Sequence, residues 1–204
     1  MDPQTMAQHA LHNKRALQDL LDGISPKTRK SVIRESSSKA LLYLSAEHPA
    51  VLLPHWAYFA RLLKSDNGFS KYVAVHVIAN LVTAGDDGRF ERTFSAFYQL
   101  LDDESVMVAS HVAGVSGQIA RAKPALQAKI TQRLLGIGRT HFPADRQALI
   151  ISYALLSLDQ YFAETAARQQ DRILAFVRQQ LDAASPKTRR LAKDFLKKWT
   201  EQPA

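Results

Sequence analysis

Apolar residues return along this chain at helical intervals. Phe90, Phe94, Phe97 and Leu101 fall at i, i+4, i+7 and i+11, one side of an α-helix, and strand-like alternation is almost absent. Gly, Pro and Asp break the pattern into about ten helical stretches. The first is predicted over residues 5–22, with Leu17, Leu20 and Leu21 on its apolar side and Gly23 as its stop. Ser25 then caps the next helix, Pro26 suits its first turn, and Val32, Ile33, Ala40, Leu41 and Leu44 carry it to Ser45. Leu52, Trp56, Phe59 and Leu63 form a broad apolar face in which Pro54 marks a start or a bend. Asp66-Asn67-Gly68 turns the chain into a nearly all-apolar helix from Phe69 to Val82.

Beyond Gly85-Asp86-Asp87-Gly88 comes the phenylalanine helix, then a small-residue helix from Val106 to Ala120. Pro124 opens a stretch on Leu126, Ile130, Leu134 and Ile137, and an apolar helix follows Pro143. Ile173, Phe176, Val177 and Leu181 precede a last helix with Thr188, Leu191, Ala192, Phe195 and Trp199 on one stripe. Turns within successive pairs lie near Ser25, Asp66, Asp103, Pro143 and Ser185, spaced by 41, 37, 40 and 42 residues. The pairs cover roughly 5–45, 49–83, 87–121, 123–162 and 167–201. A pair this size cannot hide its apolar faces alone and must stack on its neighbours. The terminal turns are near copies: Ser25-Pro26-Lys27-Thr28-Arg29-Lys30 recurs as Ser185-Pro186-Lys187-Thr188-Arg189-Arg190, 160 positions later.

These residues resemble the HEAT/armadillo class, whose period is about 40–47 residues. HEAT-like second helices often open Asp-Pro-x-Val-Arg, with an Ala three positions on. Pro186 to Ala192 matches with Thr188 in place of Val, and Pro26 to Val32 matches with Val32 at the Ala position. Lys71 with Ala74 and Arg146 with Leu149 are looser copies, and Met107 stands where a basic residue is usual. The resemblance implies an all-α fold: one right-handed α-solenoid domain of about five antiparallel helix pairs over residues 1–204. It also implies a column of Arg29, Lys71, Arg146 and Arg189, which in such arrays commonly pair with a turn Asp or a carbonyl of the next repeat.

Composition narrows the class. The 204 residues are 46% hydrophobic and 23% charged, with few Gly or Pro and no Cys. That excludes disulfides, thiolate metal sites and a Cys nucleophile. The nearly apolar run Ala148–Leu158 is too short to span a bilayer, which needs about 20 residues. Met-Asp-Pro-Gln-Thr shows no signal-peptide pattern, so a cytoplasmic protein is expected. No Gly-rich phosphate loop, Gly-x-Ser-x-Gly or His-Glu-x-x-His occurs, so no enzyme, cofactor or metal is expected.

Charge brings in the partner. Lys27, Arg29, Lys30, Arg34 and Lys39 face only Glu35, and Lys187, Arg189, Arg190, Lys193, Lys197 and Lys198 face only Asp194. These two segments hold a net +9 of the chain's +8, leaving −1 elsewhere. Second helices usually line the inner face of such a solenoid. At about 10 Å per helix layer, the clusters stand roughly 40 Å apart, the length of about 12 base pairs or of an acidic segment. Lys27, Arg29, Lys30, Arg34, Lys71, Arg146, Lys187, Arg189, Arg190 and Lys193 are the candidate groove residues for an acidic protein or peptide, with nucleic acid as the alternative. Against this stands solubility: terminal repeats need a polar outer face.

Three smaller signals have plainer readings. Ala113-Gly114-Val115-Ser116-Gly117 looks like the turn of helix-turn-helix repressors, but small residues also serve close helix approach. His76 and His111 sit at nearly equivalent places in adjacent repeats, yet two imidazoles fall short of the three or four ligands a metal site wants. Some HEAT-like proteins are DNA glycosylases that need an acid among aromatics, for which Asp159 near Tyr153 and Tyr161 is the one candidate. Trp56 and Phe59 sit at core spacing.

Overall fold

The computed structural model describes residues 2–200, and every regular element among them is helical. In order the α-helices are α1 Pro3–His12, α2 Lys14–Gly23, α3 Ser31–Glu47, α4 Pro49–Leu52, α5 Trp56–Leu62, α6 Gly68–Ala84, α7 Arg89–Gln99, α8 Val106–Ala122, α9 Gln127–Leu134, α10 Ala144–Tyr161, α11 Ala167–Gln179 and α12 Pro186–Thr200. The second helices α3, α6, α8, α10 and α12 recur at a period near 40 residues, as HEAT/armadillo arrays do. Position 201, the expected end of the fifth pair, lies outside the described residues. No helix among the described residues is long and apolar enough to cross a membrane. Internal contacts gather into two compact units that divide at the Phe97–Tyr98 peptide bond.

In the N-terminal unit the helix expected over 5–22 is two helices. Asn13 takes extended backbone, φ −131° and ψ 103°, and its side chain accepts from the amides of Arg15 and Ala16 at 3.0 and 3.1 Å. An Asn there competes with helix continuation by capping a new one. The helix expected to open at Ser25-Pro26 opens instead at Ser31, and Val32, expected on its apolar face, is 74% exposed. Residues 25–28 form a turn closed by the Thr28 amide on the Ser25 carbonyl, 2.9 Å. Pro54 bends the chain through a short 3-10 turn between α4 and α5. The α6 helix is buried on most sides, from Val73 to Val82. Asp86 caps α7 by accepting from the Phe90 amide, within a turn where Gly85, Asp87 and Gly88 all take positive φ. Phe90, Phe94 and Phe97 are buried, with the rings of Phe94 and Phe97 each edge-on to that of Phe90.

The C-terminal unit is built on α8, α10 and α12. Ala113 to Gly117 lie within the unbroken α8, so this stretch holds no helix-turn-helix turn. The small residues admit α10: a Cβ on Gly117 would stand 2.8 Å from the Ser157 carbonyl oxygen, and Ser157 Oγ donates to the Ala113 and Gly114 carbonyls. In α12, Thr188, Ala192 and Phe195 are buried, and Phe195 packs edge-on to Phe162 at 5.2 Å. The Thr188 hydroxyl donates to the Ala148 carbonyl of α10, 2.7 Å away.

Candidate functional site

The C-terminal basic cluster divides by what its members touch. Lys198 Nζ lies 2.9 Å from both oxygens of Asp159, and Trp199 Nε1 donates to the same carboxylate at 2.6 Å. The Arg189 guanidinium donates to the Ala183 and Ala184 carbonyls of its own turn at 2.6 and 3.2 Å. Lys187 Nζ sits over the Tyr153 ring, 4.3 Å from its centroid, a cation–π contact worth about 0.5–1 kcal/mol at an exposed site. Arg190, Lys193 and Lys197 are exposed, with no carboxylate partner among the described residues. Lys187, Arg190, Lys193 and Lys197 follow one another up one side of α12.

Tyr153 is the centre of this surface. Its ring lies 6.5 Å from that of His111 on α8 and rests against Gly114, where a Cβ would stand 3.4 Å from it. Burial holds the half-buried His111 below the usual imidazole range. One turn further along α10, Leu156 is 44% exposed. The three second helices thus present an aromatic and an aliphatic side chain beside a stripe of lysine and arginine.

Asp159, the one candidate acid, is committed to Lys198 and Trp199. Tyr161 points away from it: its phenol shares a buried hydrogen bond with Thr131, 2.8 Å, and burial pushes it up to about 12. That removes the acid-among-aromatics arrangement as read from the sequence. Among the described residues no three groups stand together to hold a metal ion. His76 contacts Tyr72, with ring centroids 4.9 Å apart.

In the N-terminal unit, Lys27, Arg29 and Lys30 are exposed on the segment before α3. Arg34 is half-buried over the Phe69 ring at 5.3 Å, the counterpart of Lys187 over Tyr153. Lys39 pairs with Glu35 at 2.7 Å. Lys71 is half-buried on α6, and Arg146, in the C-terminal unit, meets the adjacent Asp145 at 3.6 Å.

Sequence reasoning missed a second concentration of positive charge, on α5 and α7. A groove of about 530 Å³ between them is lined by Arg61, Lys64, Arg89 and Arg92, with Trp56 and Ala60 in its floor. Asp66, Asp86, Asp87 and Glu91 lie close in sequence and cancel these four cations in a running sum. The i, i+3 placement of Arg61 with Lys64, and of Arg89 with Arg92, is the signal that finds them.

No family model and no curated protein sequence matches the chain. Among solved structures it is similar to a designed armadillo repeat protein in complex with the peptide (KR)4, at TM-score 0.59 and 14% identity, over 96% of this chain and 90% of that one. An engineered protein matches at TM-score 0.57 and 14% identity, over 96% and 87%. A second designed armadillo repeat protein matches at 0.56 and 16%, over 96% and 90%. The fold is therefore an all-α solenoid of the HEAT/armadillo-like helical repeat type.

Proposed function

We propose that this chain is a cytoplasmic, non-enzymatic scaffold whose repeats, taken as one domain, bind an acidic protein or peptide along their second helices. The observation that carries the reading is the stripe Lys187, Arg190, Lys193 and Lys197 beside Tyr153 and the exposed Leu156. Cations without ion partners among the described residues, beside apolar side chains in reach, suit a segment that alternates carboxylates with apolar residues. In the N-terminal unit Arg34 over Phe69 supplies the same pairing, with Lys27, Arg29 and Lys30 around it. The designed neighbour was solved with a basic peptide; the charge of this chain, +8, calls for the opposite kind of partner.

Fluorescence anisotropy with a labelled oligoglutamate peptide tests this. Binding is expected, weakened about tenfold or more by Lys187→Glu with Arg190→Glu and Lys193→Glu, while a lysine-arginine peptide fails to bind. Duplex DNA competes in the same assay. If DNA binds more tightly than the peptide, with affinity falling steeply between two salt concentrations, nucleic acid becomes the partner class and the present reading is wrong.

A further inference from the structure

The α5–α7 groove takes no part in that reading, and its chemistry is more one-sided. Four cations line it and no carboxylate does. Arg61, Lys64 and Arg92 are exposed and form no ion pair among the described residues, while Arg89 reaches the Leu53 carbonyl at 3.4 Å and is held against the wall. The Glu91 carboxylate lies over the Gly88 turn, 3.8 Å from where a Cβ would stand there, and Asp66 lines the neighbouring hollow, which Arg61 and Lys64 also edge. Between the two walls the floor is small and apolar: Ala57, Ala60 and Ala96 leave the space. The Trp56 indole, only 7% exposed, is fixed by donating to Thr93 Oγ1 at 3.1 Å.

We propose that this groove is a second docking site, which takes a short acidic segment of another protein with its carboxylates on the arginine walls and an apolar side chain on the alanine floor. Arg61 with Lys64 at the end of α5, and Arg89 with Arg92 on α7, match carboxylates on both edges of one segment, and the forked donors of the three arginines suit carboxylate geometry. A nucleic-acid strand fits less well, because Trp56 is too buried to stack a base. The volume is in the range of about 300–1,000 Å³ that recessed sites occupy.

Trp56 reports on the site once Trp199→Phe has removed the other indole. In that background a short peptide alternating glutamate and leucine is expected to change Trp56 emission, and oligoglutamate to bind more weakly. Arg61→Glu with Arg92→Glu should cut affinity about tenfold or more. Ala57→Phe, which fills the floor without touching charge or adding an indole, should do the same. Lys187→Glu with Arg190→Glu should leave the Trp56 response intact, which separates this site from the α12 surface. Unchanged affinity in the charge-reversed or the filled variant would overturn the proposal. So would oligothymidylate binding in the groove as tightly as the peptide.

Discussion

Residues 21–30 and 181–190 share Leu-Asp-x-x-Ser-Pro-Lys-Thr-Arg, yet one is a turn and the other starts a helix. At the C-terminal copy the Ser185 carbonyl accepts the Arg189 amide at 3.1 Å, and Pro186 stands in the first turn. Thr188 then docks on α10 through the Ala148 carbonyl. At the N-terminal copy the same threonine folds back, donating to the Asp22 carbonyl at 2.7 Å, and the helix waits until Ser31. No second helix precedes α3 among the described residues, so Thr28 has no counterpart of Ala148 to reach. The backbone before the turn is also held differently. The Leu21 and Ile24 carbonyls accept from Tyr58 and Ser70 of the following repeat at 2.6 and 2.8 Å, and Ile24 is fully buried. Tertiary partners, not the local motif, decide which form the segment takes.

The largest expected effect falls on the side chains that dock the C-terminal copy. Phe195→Ala removes a buried ring packed on Phe162 and Trp199 and should cost about 3–5 kcal/mol. Urea unfolding, with amide exchange resolved to α12, should show that helix losing protection first. The equivalent N-terminal position is Glu35, whose pair with Lys39 is open to water and contributes little to stability. Glu35→Ala should leave exchange in α3 near its original level. Comparable losses at the two positions would mean that the copies are held alike after all.

That contrast was legible in the chain. Where α12 carries Phe195 and Trp199, the N-terminal copy carries Glu35 and Lys39, an i, i+4 ion pair in place of a docking stripe. The recurrence of the turns and the apolar spacing sufficed for an all-α repeat, because each pair must bury a face against a neighbour. The break at Asn13 was less visible: capping by Asn depends on its backbone being extended, and apolar periodicity runs across it. The bond from Ser70 to Ile24 spans 46 residues and leaves no trace in local pattern. The α5–α7 groove escaped because summing charge along segments hides a face that one helix shares with another.

Releasing the N-terminal turn should cost less than undocking α12. Tyr58→Phe with Ser70→Ala strips the hydroxyls from the Leu21 and Ile24 carbonyls. Burial, together with Asp22, pushes the Tyr58 phenol up to about 12, so it stays a donor across the accessible pH range. The pair of substitutions should destabilise by about 1–3 kcal/mol: Ser70→Ala leaves the shielded Ile24 carbonyl without its hydroxyl donor, while the Leu21 carbonyl keeps the Ile24 amide at 3.3 Å. If the turn then rearranges toward the C-terminal form, exchange should slow at the amides of residues 27–30 as a helical turn forms there. No change in either stability or exchange would show that Ile24 burial alone holds the turn.

The smallest effect separates the two arginines of the repeated motif. Arg189 donates to the Ala183 and Ala184 carbonyls and braces the extended residues before Pro186. The bonds are charge-assisted, but the side chain is only half-buried, so water replaces part of what Arg189→Ala removes. A loss of about 1 kcal/mol follows. Arg29 is exposed and makes no such bond among the described residues, so Arg29→Ala should stay within about 0.5 kcal/mol of the original. Paired urea melts resolve a difference of that size. If Arg29→Ala costs as much as Arg189→Ala, the N-terminal arginine has a partner in solution, and the carbonyl brace no longer distinguishes the helix from the turn.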